Sequence, residues 1–304
     1  MRENSSPPRW LPFVVLGIGL LAISFGAVLA RLAQGAGLPS LAIAALRLGI
    51  AALIISPFAL WQSRTVKGSA LLSMTRRQAL LTLGAGFFLA LHFASWISSL
   101  EYTSVASSTA LVTTNLLWIA IASFVLFGEK PGRLTLVGMA VSIGGSLLIF
   151  WSDSSRSAPG SNPLLGNVLA VVGSWCFSAY LLLGRRLRAS LPLPAYIWLA
   201  YGAAALLLVG ACGAWAVPLS GYAAPAYLFA LGLALGPQLL GHTAYNWSLK
   251  HVSPTFVAVV TLGEPVGSAA LAWFFFDESF ALLQGAGFVL LLGGIYLAAR
   301  GEGR

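Results

Sequence analysis

Charge is what this sequence has least of. Of its 304 residues only 8% are Asp, Glu, Lys or Arg, far below the roughly 25% usual in soluble domains. Cysteine is nearly absent as well. Cys176 and Cys212 lie in separate apolar runs without ligand spacing, which argues against a disulfide framework and a thiolate metal site. No GxxxxGK run is present to cradle a nucleotide, no HExxH pair to hold zinc, and no GxSxG elbow to carry a nucleophile. The acids in apolar surroundings do not pair as an aspartyl dyad. The sequence therefore argues against a membrane-embedded enzyme of these kinds, and no catalytic residue, metal ligand or cofactor is expected.

What the chain has instead is apolar length. Hydrophobic residues make up 58%, and the mean hydropathy is +0.88. A helix needs about 20 predominantly apolar residues to cross the hydrocarbon core. Such runs recur at 11–30, 38–60, 79–99, 104–127, 134–151, 164–183, 193–215, 225–247, 253–276 and 280–299. The expected fold is an all-α polytopic membrane protein with ten transmembrane helices. The first run follows Arg2 and Arg9 and resembles a cleaved signal. That reading is set aside because further crossings follow, with no soluble domain.

The net charge of +9 does not mark a nucleic-acid binder, because the basic residues alternate with the crossings. Fourteen of the 17 Lys and Arg residues fall on the N-terminal side of the bilayer; Arg31 and Arg156 fall on the other, and Arg47 lies within a crossing. Cytoplasmic loops carry the basic excess, so both termini are expected in the cytoplasm of a plasma membrane, in a bacterium the inner membrane. The basic loop around 61–79 suits anionic headgroups. The lipid bilayer is thus an expected partner and nucleic acid is not.

Displacing the chain against itself by 149 positions superimposes Ser99-Leu100 on Ser248-Leu249, Ser104 on Ser253 and Glu129 on Glu278. It also superimposes Gly138 on Gly287 and Gly144-Gly145 on Gly293-Gly294. Upstream, Leu38-Pro39 meets Leu193-Pro194 after a shift of six. Five crossings per half force the second copy to enter the membrane in the opposite sense, an inverted-topology repeat as in many secondary transporters. The expected organisation is a first repeat at 10–151, a Ser/Pro/Gly-rich linker at 152–163 and a second repeat at 164–299. The repeated Glu129 and Glu278 read as structural hinge or capping groups.

The stretches "LEYTSVASSTALV" (100–112) and "LFGEKPGRLTLVGMAVSIGGSLLIF" (126–150) have second-half echoes, "LKHVSPTFVAVVTLGEPV" and "DESFALLQGAGFVLLLGGIYL". With "AALRLGIAAL" (44–53), they give the chain a resemblance to the EamA-type branch of the drug/metabolite transporter superfamily over essentially its full length. The resemblance implies a polytopic carrier for small organic solutes that hydrolyses no ATP itself. Two departures stand out. Ser24-Phe25-Gly26 occupies the place where relatives often have Trp-Gly, and Asn115-Leu116 stands where the second half has Glu264-Pro265. A symmetric pair of helix breaks is therefore not carried over to this chain.

Ionisable groups at membrane depth are costly and normally face a bundle interior or a wet cavity. Arg47 and Glu264 fall at similar depth on crossings from opposite halves. They read either as a solute or coupling site or as a structural ion pair. Asn115, the repeat partner of Glu264, is a cavity-wall candidate or an interhelical hydrogen-bonding group. His92, with Trp96 one turn on, reads as a proton relay, a solute contact or a packing histidine. Trp118, Trp175, Tyr180, Tyr201 and Tyr245 are candidate cavity aromatics set against lipid-facing packing. His242 is expected near the cytoplasmic end of its crossing, in an interfacial role. Pro265 should loosen the ninth crossing beside Gly263.

The residues together favour a secondary carrier that moves a small organic metabolite, such as an amino acid or related solute, by alternating access. Export is the expected direction; proton coupling and a homodimer are both compatible with such a carrier. The competing class is a multipass scaffold or receptor, which would need an exposed partner-binding domain or tail.

Overall fold

The computed structural model describes residues 8, 10–65, 74–128, 130–154, 162–277 and 282–302. Glu129, Glu278 and most of the 152–163 linker lie outside the described residues. Every regular element described is a helix: α1 (Leu11–Gly35), α2 (Ser40–Thr65), α3 (Arg76–Ser99), α4 (Val105–Val112), α5 (Asn115–Phe127) and α6 (Arg133–Ser154). There follow α7 (Pro163–Arg188), α8 (Leu193–Ala214), α9 (Ala224–Leu233), a π-helical segment (Ala234–His242), α10 (Thr243–Ser248), α11 (Pro254–Thr261), α12 (Glu264–Phe276) and α13 (Leu282–Glu302). Counting α4–α5, α9–α10 and α11–α12 as single crossings, eight described helices are long and apolar enough to traverse a membrane. Arg133–Leu148 and Gly285–Gly294 are shorter apolar helices.

Local chemistry sets the helix starts. Thr75 and Gln78 form a reciprocal capping box at the head of α3. Ser104 accepts from the Ser107 amide at 3.0 Å, and Ser253 accepts from the Phe256 amide at 3.0 Å. These two caps are repeat counterparts, so the same serine starts the broken helix in each half. Leu53, Val125, Leu206 and Phe274 are more than two-thirds exposed. In a chain this apolar, that outer surface is the lipid face.

The helices pack as cross-half pairs: α2 against α8, α3 against α7, α6 against α13, and α1 against the π segment and α12. The α6–α13 crossing shows why small residues recur. A Cβ on Gly145 would lie 2.6 Å from the Gly287 carbonyl oxygen, and one on Gly294 would lie 2.5 Å from that of Gly138. Ser142 donates to the carbonyl of Leu291, 149 residues away, at 3.3 Å. Close packing of bare backbone is what associates helices when lipid removes the hydrophobic drive between them.

Candidate functional site

Two helices stop in the middle of the bundle. α11 ends at Thr261 and α12 begins at Glu264. Pro265 sits in the first turn of α12, where its missing amide hydrogen leaves no bond unmade. Gly263 faces α1, where a Cβ would lie 2.7 Å from the Leu20 side chain. The loosening expected at Pro265 is present. The first half breaks too, a feature not carried over from the resemblance: α4 ends at Val112 and α5 begins at Asn115, without proline. Two threonines stand at this break. Thr113 Oγ1 donates to the carbonyls of Thr109 and Ala110 at 3.0 and 2.9 Å, and Thr114 Oγ1 donates to that of Leu111 at 2.7 Å. The Thr109 and Leu111 carbonyls also accept the amides of Thr113 and Thr114, both at 3.2 Å, so the hydroxyls add second bonds at the helix end. Thr261 Oγ1 donates to the Ala258 carbonyl at 2.7 Å in the second half.

The breaks meet. Thr261 Oγ1 donates to Asn115 Oδ1 at 3.4 Å, and Ser178 of α7 donates to the Asn115 carbonyl at 3.2 Å. Around this junction lies a cavity of about 20 Å³, walled by both breaks and by Gly26, Arg47, His92, Trp96, Phe177, Pro237, His242 and Tyr245. Trp96 and Tyr245 are 149 residues apart, as are Asn115 and Glu264. The repeat thus brings its own counterparts to one cavity with different chemistry.

Arg47 is 1% exposed and Glu264 7%. Both line the cavity, but the described contacts of the guanidinium are with other groups. Its Nε donates to Gln238 Oε1 at 2.8 Å, and Cζ lies 3.9 Å from the centre of the Phe93 ring. Glu264 occupies the first turn of α12, where the positive end of the helix dipole favours a carboxylate. His92 Nδ1 lies 3.0 Å from the Gly173 carbonyl, which can only accept, so the proton resides on Nδ1. Its ring is parallel to that of Trp96 within 3°, at 6.1 Å.

Four buried polar atoms around this cavity have no hydrogen-bond partner among the described residues: Arg47 Nη1, Trp96 Nε1, His242 Nδ1 and Tyr245 Oη. Buried polar groups are normally paired. Two of the four are obligate donors, suited to an acceptor-rich group such as a carboxylate, while Glu264 suits a cation. A zwitterion matches both ends.

Glu264, Arg47, Asn115, His92, Trp96 and Tyr245 are thus brought together, and Pro265 and Gly263 lie at the break. Trp118 and Trp175 are elsewhere. Trp175 is 50% exposed on the face of α7 opposite its packing stripe. It meets Trp118 edge to face at 5.4 Å, in a lateral apolar groove with Phe88 and Leu183. Tyr180 and Tyr201 lie outside the cavity wall in a polar cluster held by Asn246 Nδ2 at 2.5 and 3.3 Å, and Tyr201 reaches Gln238, the partner of Arg47. His242 corrects the interfacial expectation. It is 5% exposed and sits 5.2 Å from Phe93 and 5.5 Å from Phe177, ring centre to ring centre. Counting residues from a helix end gives depth along one axis and leaves out the direction of the side chain. Gln238 was also missed. Its signal was Pro237 inside an apolar run, with Gln238 and His242 following; a π-helical segment forms there and places these residues inward.

A helical bundle with eight described helices long and apolar enough to cross a membrane, burying broken helix ends, Arg47 and Glu264 around a small central cavity, defines a polytopic membrane protein. The sequence profile of the EamA-like transporter family matches residues 3–151 and 164–300. The chain belongs to that family, as the resemblance implied, and membrane transport of a small solute is its activity class. It is 25% identical over 224 residues to an uncharacterized transporter of Archaeoglobus fulgidus, covering 72% of this chain and 76% of that one. A second uncharacterized transporter of that organism is 23% identical over 202 residues, covering 66% and 68%. A solved crystal structure shares the fold, with a TM-score of 0.74 at 20% identity over 98% of this chain and 100% of the other.

Proposed function

We propose that this protein is a secondary transporter that exports a small zwitterionic metabolite, an amino acid or close relative, across the plasma membrane by alternating access. The observation that carries the reading is the meeting of two helix breaks at a cavity holding Glu264, Arg47 and four unpartnered buried polar atoms. Broken helices at the midplane are where secondary transporters place their solutes, with half-helix ends turned to the charged groups. The solute carboxylate docks at Arg47, Trp96 and Tyr245, and its ammonium at Glu264. Asn115 and His92 complete the wall, and a proton on Glu264 or His92 is the candidate coupling ion. The cavity of about 20 Å³ has room for about one water, against roughly 300–1,000 Å³ for organic ligand sites. Entry of a solute therefore requires the walls to part, which favours rocking of one helical unit against the other.

The architecture we propose is ten crossings in two inverted five-helix repeats, 10–151 and 164–299, joined by the 152–163 linker. At about 1.5 Å per residue, the 22 residues of α6 and 21 of α13 are long enough to add the two remaining crossings. The reciprocal glycine contacts between those helices support a two-fold relation. Both termini face the cytoplasm in this scheme. Single cysteines at the exposed positions Glu101 and Gly221 should react with an impermeant external reagent, and those at the exposed positions Ala189 and Lys250 should not, in a background without Cys176 and Cys212.

The direct test is transport of labelled amino acids and amines in proteoliposomes, with and without a pH gradient. Movement of a zwitterion that Glu264→Gln abolishes is the expected result. A folded protein that moves none of the panel would overturn the reading and leave a multipass scaffold or receptor.

A further inference from the structure

The two halves build one corner twice: the first holds Arg31, donating to the Leu100 and Thr103 carbonyls at 3.2 and 2.8 Å, together with Glu101, and the second holds basic residues at both places. In the first half, Gln34 Nε2 near the end of α1 donates to the Ile97 carbonyl and to Ser40 Oγ, both at 2.8 Å. Ser40, the first residue of α2, donates in turn to Glu101 Oε1. In the second half, Arg188, the last residue of α7 and one before the position aligned with Gln34, reaches into the corner. Its Nε donates at 3.2 Å to the carbonyl of Asn246, the repeat counterpart of Ile97. Lys250 stands where the first half has Glu101, 149 positions earlier.

The consequence is a corner without its acid. Arg188 is only 5% exposed, and its other described bond goes to the Leu191 carbonyl. Around it opens a pocket of about 570 Å³ lined by Ser190, Leu193, Trp247, Lys250 and His251, with no Asp or Glu in its wall among the described residues. The first turn of α8, which has no side-chain cap, also borders the pocket, adding the positive end of a 22-residue helix dipole. A buried cation without a counter-charge is destabilising, and like charges beside it add to the penalty. The pKa of His251, in the turn after α10, is lowered by partial burial and then by Lys250 and Arg188.

We propose that this corner binds a phosphate group from outside the chain, which supplies the charge that Glu101 supplies in the first half. Arg188 and Lys250 pair with the phosphate oxygens, Ser190 and the Leu193 amide donate to them, and Trp247 and Leu193 cover the organic part. The phosphate belongs either to an anionic phospholipid headgroup, as basic pockets between membrane helices accept, or to a soluble phosphate.

The test uses the purified full-length protein in a neutral detergent, titrated with dioctanoyl phosphatidylglycerol, dioctanoyl phosphatidylcholine and inorganic phosphate. Thermal unfolding and native mass spectrometry are the readouts. Lys250 is exposed, so Lys250→Glu, which installs the first half's acid, should fold, and Lys250→Gln provides a milder second variant. Phosphatidylglycerol should raise the unfolding temperature and remain bound, with about tenfold weaker binding in both variants, the scale of one lost charge-assisted hydrogen bond. Competition by inorganic phosphate would assign the site to a soluble phosphate, and phosphatidylglycerol binding without such competition would assign it to lipid. Equal binding of phosphatidylglycerol and phosphatidylcholine, undiminished binding in the variants, or no binding of either phosphate would overturn the proposal.

Discussion

At Thr113–Thr114 and at Leu262–Gly263 the two halves interrupt the same helix, 149 residues apart, by different means. The first break holds two back-bonded threonines and no proline. The second adds a proline in the new first turn and a glycine facing Leu20. The end products match in geometry and differ in charge, since one new helix begins with Asn115 and the other with Glu264. Proline is thus one way to end a helix at this depth and is not required. The chemistry at the exposed helix start is free to diverge while the break is kept.

Substitutions at repeat counterparts test how far this equivalence extends. The largest effects are expected where the halves are identical. Gly145→Leu and Gly294→Leu each force a side chain into the backbone across α6–α13, and both should destabilise by at least ~3 kcal/mol. Thermal unfolding in detergent measures this; a large effect at one glycine only would break the two-fold relation. The next effect separates the halves. Glu264→Gln should leave the fold intact and reduce transport about 10- to 100-fold, the scale of a lost charge-assisted contact. Asn115→Leu should reduce it less, because it removes no charge. Equal losses in proteoliposome uptake would mean that position, and not charge, matters.

Smaller effects concern the breaks themselves. Thr113→Val and Thr261→Val each remove a hydroxyl that occupies helix carbonyls, with an expected loss of ~1 kcal/mol apiece. Thermal unfolding of both single variants and the double variant would reveal whether the breaks, joined through Thr261 and Asn115, are coupled. Pro265→Ala should be the mildest, below ~1 kcal/mol, because the first half makes its break without proline. A large loss of stability in that variant would show that the second break depends on proline after all.

Much of the bundle was legible because lipid simplifies the code. Apolar length marked the crossings, the 149-residue echo aligned serine caps and packing glycines, and the scarcity of charge directed attention to Arg47 and Glu264. Those two residues do share one cavity. Other features were hidden by what a linear pattern leaves out. Trp175 and Tyr245 look alike as aromatics in apolar runs, and only helix rotation places one toward lipid and the other toward Glu264. His242 was misjudged because depth was counted along a single helix, and Gln238 because the π-helical turn around Pro237 depends on how α1 and α2 pack there.

The sequence alone therefore determined the class of solvent, the approximate crossings and the residues costly to bury, since each follows from the free energy of placing one segment in hydrocarbon. Tertiary structure decided which of those residues meet. The break at Thr113, the size of the cavity and the company Arg47 keeps depend on helix rotation and close packing between halves, which are set by contacts between residues far apart in the chain.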